Sequence, residues 1–121
     1  MIYDENYLKN NGIDMTKSLE LLEDMEMYNE TLHDFLNKND SVFEKLTNYK
    51  NNGDMENYAV EVHSLKSDCK YLGFTSLADI AYEHELKSKD NDLDYVNNNF
   101  DKLVAEKNRL LRIIEPYAEN N

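Results

Sequence analysis

Chain breakers are scarce in this sequence. Its 121 residues hold three glycines, Gly12, Gly53 and Gly73, and a single proline, Pro116. Glycine and proline are the residues that interrupt regular backbone, so a chain with so few of them must run in long continuous elements. The apolar spacing says which kind. From Tyr28 to Tyr49 the apolar positions are Tyr28, Leu32, Phe35, Val42, Leu46 and Tyr49, with Asn39 filling the vacant slot. The steps alternate four and three, the seam of a helix that buries one stripe. The polar run Asn37-Lys38-Asn39-Asp40 has the composition of a loop, but the register passes through it unbroken. One long helix is predicted, with a kink allowed at 37–40.

Three further helices follow by the same reasoning. Asn51-Asn52-Gly53 ends the long helix and Asp54 is a good N-cap for the next, whose seam is Met55, Tyr58, Val62, Leu65, Cys69 and Leu72, with Gly73 as its stop. Thr75 or Ser76 can cap a third helix, with Asp79 three residues after Ser76; its inner face reads Leu77, Ile80, Ala81, His84 and Leu86. Lys89-Asp90-Asn91-Asp92 is a turn. A fourth helix turns Leu93, Val96, Phe100, Leu103, Val104, Leu110, Leu111 and Ile114 inward and has Pro116 at its end. Amphipathic helices joined by short turns pack antiparallel. The expected fold is therefore all-α: an antiparallel up-and-down four-helix bundle with a short N-terminal accessory helix. That accessory helix follows Gly12-Ile13-Asp14, turns Leu19 and Leu22 to one face and covers one end of the bundle. The expected organisation is a polar N-terminal segment (1–11), the bundle (12–117) and a C-terminal tail (118–121).

Charge narrows the partners. Thirteen basic residues against 25 acidic give a net charge of −12, a surface that repels nucleic acid and anionic lipid. No apolar run approaches a membrane span, and Met1 to Lys9 lack the basic-then-apolar profile of a secretory signal. With Cys69 the sole cysteine, no intrachain disulfide can form, which fits a reduced cytoplasmic setting. Cys69 lies on the seam, so packing is its expected role.

At roughly 100° per residue, the second helix points His63 about 140° away from the centre of its seam, into solvent. Lys66, Ser67 and Lys70 fall on the same outer flank, with the small Ala59 one turn before and Val60 as the exposed apolar residue. Glu56, two turns away, is the nearest carboxylate on that face of the helix, whereas Glu61 and Asp68 point around it. A neutral imidazole nitrogen is nucleophilic near neutral pH, and a phosphoryl group on it would carry negative charge that lysines can screen. A solitary surface histidine is more often only a surface residue. The basic row in so acidic a chain is what makes this one a candidate.

The run His63-Ser64-Leu65-Lys66-Ser67-Asp68-Cys69-Lys70-Tyr71-Leu72-Gly73 resembles the signature of histidine-containing phosphotransfer (HPt) domains: His-x-Leu-Lys-Gly, a small residue shortly after, and a glycine ten residues past the histidine. Gly12-Ile13-Asp14, Asn52-Gly53-Asp54 and the Leu77, Ala81, Glu85 pattern resemble other parts of the family, so the likeness spans roughly residues 12–115. Ser67 stands where glycine is commonest, Asp68 where a small residue is frequent, and His84 where an apolar residue is typical; His84 is read as a partly buried bundle residue rather than a second phosphosite.

The resemblance implies a phosphorelay carrier of two-component signalling. His63 would be the phosphoacceptor, Lys66 would steady the phosphate and Ser67 would keep the approach clear; Lys70 as a second electrostatic helper is inferred from spacing. Ala59, Val60, Lys66, Ser67 and Lys70 would centre the partner surface, with the long helix (28–49) adjoining. Partners would be response-regulator receiver domains, an upstream hybrid sensor histidine kinase, or both. No cofactor or metal is expected on this chain, Mg²⁺ being supplied by the receiver, and the domain would be a monomeric carrier rather than an enzyme. Two other readings compete. A di-iron bundle needs two inward Glu-x-x-His pairs, and only Glu30-Thr31-Leu32-His33 fits. A helical-bundle interaction module that is never phosphorylated would keep the fold without the chemistry.

Overall fold

Aspartate starts most of the structure. In the computed structural model, which describes residues 1–121, six helices and no strands form: α1 (Glu5–Asn10), α2 (Met15–Leu22), α3 (Met25–Asn51), α4 (Met55–Leu72), α5 (Thr75–Lys89) and α6 (Leu93–Glu119). Asp4, Asp14, Asp24, Asp54 and Asp92 precede five of them, and each side chain accepts a hydrogen bond from the backbone N–H three residues on. Each cap satisfies an orphan donor and sets negative charge against the positive end of a helix. Part of the acidic excess is thus structural.

α5 is the exception. The expected caps Thr75 and Ser76 lie inside it; Phe74 occupies the cap position and makes no side-chain hydrogen bond there. The reason lies in Gly73, which ends α4 at φ +80°. A Cβ on Gly73 would stand 2.6 Å from the Asp14 carbonyl oxygen and 2.7 Å from Ser18 Oγ, and the Asp14 N–H donates to the Gly73 carbonyl at 2.9 Å. The α4–α5 corner is therefore pressed against the start of α2, and Phe74 packs into the core instead of leaving room for a polar cap.

α4 packs on α3 and on α5, and α6 packs on α5 and back on α3, so the four long helices close around one core. α3 is continuous across residues 37–40, roughly 40 Å of unbroken helix. Asn39 is buried in its seam, and Phe43 rather than Val42 is the fully buried residue of the next turn. In α5, Leu77, Ala81 and His84 are buried as the pattern suggests and Ile80 is half-buried, but Leu86 is exposed, and Glu85 and Ser88 are buried in its stead.

Both ends of the chain are structured. Within residues 1–11, α1 sends Leu8 into the core, and the Tyr7 hydroxyl donates to the Ile113 carbonyl at 2.7 Å. Two short helices, not one, precede the long ones. α6 continues past Pro116 to Glu119, burying Tyr117 and Ala118, with the Tyr117 hydroxyl donating to Asn29 Oδ1 at 2.6 Å. No helix is long and apolar enough to cross a membrane.

Candidate functional site

α4 positions His63 by what it buries on its other side. Val62, Leu65, Cys69 and Leu72 are buried, and the His63 ring stands outside with 54% of its side chain exposed. Burial pushes the Cys69 thiol far above its ordinary range, which keeps it protonated and inert. No residue of the long helix lines the hollow beside His63. α3 meets the opposite flank of α4, where Lys38 pairs with Asp68 at 2.8 Å, and the helix beside His63 is α5.

α5 brings a carboxylate that the helical wheel of α4 could not show. Glu85 is 3% exposed, and its Oε2 lies 2.8 Å from His63 Nδ1. Lys66 Nζ donates to Oε1 at 2.6 Å and Lys89 Nζ to Oε2 at 2.7 Å. Burial alone would raise the Glu85 carboxyl, but the hydrogen bonds from Lys66, Lys89 and His63 and the charge of Lys66 outweigh it and hold the group down at about 2. Glu85 is therefore ionised at neutral pH and can only accept. The proton of the contact belongs to His63 Nδ1, which donates to Glu85. In the neutral ring the lone pair then sits on Nε2.

The sequence-predicted residues separate into two groups. Ala59, Val60 and His63 line one hollow between α4 and α5, together with Ser64, Ser88 and Lys89. Lys66 is near His63 but not free in solvent: its side chain is 12% exposed, its ammonium lies over the Tyr82 ring at 4.9 Å and it is bonded to Glu85. Ser67 and Lys70 line a different hollow further along α4, beside Asp14, Lys17 and Tyr71. The row of basic residues read from the wheel is thus split, because α5 draws Lys66 sideways and the α2 corner takes Lys70. Lys89, which the sequence reading assigns to a turn, is the last residue of α5. It lies four residues after Glu85, the helical spacing for an ion pair, and that was the available signal.

His84 is fully buried rather than partly so. Its Nδ1 lies 2.8 Å from the Tyr58 hydroxyl, its Nε2 makes no well-formed hydrogen bond, and the ring has only a weak contact with the Asn99 backbone. Burial lowers its pKa below the ordinary histidine value. It faces the bundle and is not part of the exposed site. No three His, Cys, Asp or Glu side chains converge in a way that could hold a metal ion.

The site is thus an exposed nucleophilic nitrogen, oriented from behind by an ionised carboxylate, with one carboxylate set against two ammonium groups. No curated protein and no solved structure matches the chain. The sequence pattern described as the Hpt domain matches residues 18–113, which contain the whole α4–α5 site, and the chain belongs to the Hpt domain family.

Proposed function

We propose that the protein is a phosphorelay carrier that receives a phosphoryl group on His63 Nε2 from the aspartyl phosphate of a receiver domain, or from an upstream hybrid sensor histidine kinase, and passes it to another receiver's aspartate. The observation that carries this reading is the Glu85–His63 contact, which leaves an exposed imidazole with its basic nitrogen facing out. Family membership supports the general role of phosphotransfer. The long helices are read as an antiparallel up-and-down bundle, since the connections at 52–54, 73–74 and 90–92 are too short for anything but a reversal.

The chemistry follows from the tautomer. The Nε2 lone pair attacks phosphorus, the N–P bond forms as the acyl O–P bond breaks, and the electron pair returns to the receiver's carboxylate. Nε2 has no proton to lose, so the ring gains positive charge while Nδ1 keeps its hydrogen. Glu85 faces that charge and stabilises it, as an orienting carboxylate does for a catalytic imidazole. The reverse reaction uses the same contacts, which suits a carrier that must both load and unload. Rate comes mainly from holding the nitrogen in line with the acyl phosphate. The receiver contributes its own aspartates and Mg²⁺, and this chain adds no cofactor. Val60, exposed beside the ring, would seat the partner, while Ala59, expected on the same surface, is buried and only forms the floor of the hollow; Lys66 acts through Glu85, and Ser67 and Lys70 lie on the outer part of the contact. We read the protein as a monomer acting in the cytoplasm, consistent with its single, buried cysteine.

Incubation with a phosphorylated receiver tests this. Label should reach the wild-type protein, be acid-labile and alkali-stable, and be absent from His63→Gln. A protein that binds the receiver yet never acquires label is an interaction module.

A further inference from the structure

The two lysines on Glu85 are not equivalent. Lys66 is nearly buried, makes the shorter bond to Oε1 at 2.6 Å and is roofed by the Tyr82 ring. Lys89 lies in the last turn of α5, is 59% exposed, and lines the same hollow as His63, whereas Lys66 does not line it. We propose that Lys89 is the cation that meets the phosphoryl group on His63, while Lys66, although it is the lysine of the family motif, is committed to holding Glu85. This inference rests on the carrier reading and assigns the roles within it.

Charge supports the division. Before phosphorylation, Glu85 takes hydrogen bonds from Lys66, Lys89 and His63. One ammonium is enough to neutralise one carboxylate, so one positive charge is in surplus. A phosphoryl group on Nε2 adds two negative charges on the solvent side of the ring. The surplus cation is recruited at least cost from the side chain that is exposed, near the end of its helix and already facing the hollow. Lys89 meets each condition. Moving Lys66 would break its bond to Oε1 and its contact with Tyr82 and would strip a buried carboxylate of its best partner. Glu56, on the rim of the same hollow, repels the new charge and adds to the need for a cation there. No covalent bond is made or broken in this step; Lys89 gives up its hydrogen bond to Glu85 for one to the phosphoryl group.

The test uses the full chain phosphorylated by phosphoramidate, so that no receiver is required. Lysine Nζ resonances, assigned with Lys66→Arg and Lys89→Arg, are compared before and after loading. The Lys89 signal should move and the Lys66 signal should hold its position. In ³¹P spectra of the phosphorylated protein, Lys89→Ala should raise the pH at which the phosphoryl group titrates by about half a pH unit, and Lys89→Arg should restore it, because a cation favours the dianion. A Lys66 movement as large as that of Lys89, or an unchanged titration in Lys89→Ala, overturns the assignment while leaving the carrier reading intact. If His63 in the wild-type protein takes up no phosphoryl group under these conditions while the fold is intact, the carrier reading itself fails and this assignment goes with it.

Discussion

At the scale of the residue, the decisive side chain is Glu85. It connects His63, Lys66 and Lys89 through one buried carboxylate, and its substitution should be felt in two ways. Glu85→Gln keeps the shape but removes the charge, so the ring loses both its fixed tautomer and the counter-charge for the phosphorylated state; phosphotransfer to His63 should slow about tenfold or more, with binding to the receiver little changed. Stopped-flow transfer against receiver concentration separates the two. The carboxylate also governs stability in acid. Its folded pKa, about 2, lies below the ordinary 4.5, so its contribution is complete above pH 4.5 and is lost as the pH falls toward 2. Denaturant titrations should show that loss in the wild type and a flatter profile over the same window in Glu85→Gln. His84 acts in a higher window. Its folded pKa lies below the ordinary 6.5, so the unfolded chain binds a proton that the folded one resists, and stability falls as the pH drops below 6.5. Replacing the pair together, Tyr58→Phe with His84→Leu, removes both hydrogen-bonding partners at once and should be nearly neutral at pH 8. It should also flatten the profile just below pH 6.5 and leave transfer to His63 unaffected.

At the scale of the element, the α4–α5 corner is where local sequence and tertiary packing meet. Gly73 reads as an ordinary helix stop, and its positive φ agrees. Its second duty, letting the α2 backbone approach, is invisible without the fold. Gly73→Ala should therefore cost more than a simple left-handed alanine, about 2–4 kcal/mol, measured as a shift in the denaturant midpoint. The same distinction explains what could be read in advance. The seams of α3, α4 and α6 are periodic enough to reveal long helices, the unbroken register at 37–40 included, because apolar spacing reports directly on one buried stripe. α5 was harder. Its inner face includes Glu85 and Ser88 beside His84; Glu85 is held by His63 and Lys66 of α4 and by Lys89, Ser88 by the Glu85 carbonyl in its own helix, and a pattern of apolar residues cannot register either of the two. α1 is only a turn and a half of polar sequence around Leu8, below what periodicity can detect. In the same way His63 was legible as an outward residue, since that depends only on its own helix. The placing of Lys66 against Glu85, of Lys70 beside α2, and the presence of Lys89 depended on which helix lies alongside.

At the scale of the whole molecule, an acidic bundle carries one small cluster in which cations outnumber anions. The net charge of −12 is spread over helix caps and outer faces, and the exception lies where two ammonium groups share one carboxylate beside an exposed imidazole. Such an arrangement holds an anionic group that is handed over and taken back, and it keeps the rest of the surface from competing for it. All of this depends on which ring nitrogen is free. Long-range ¹H–¹⁵N spectra of the protein, labelled at histidine and loaded with phosphoryl group, report that directly. The account predicts an unloaded His63 with hydrogen on Nδ1 and a bare Nε2, and a loaded one with phosphorus bonded to Nε2. Phosphorus on Nδ1, or a phosphohistidine signal that survives in His63→Gln, would contradict it.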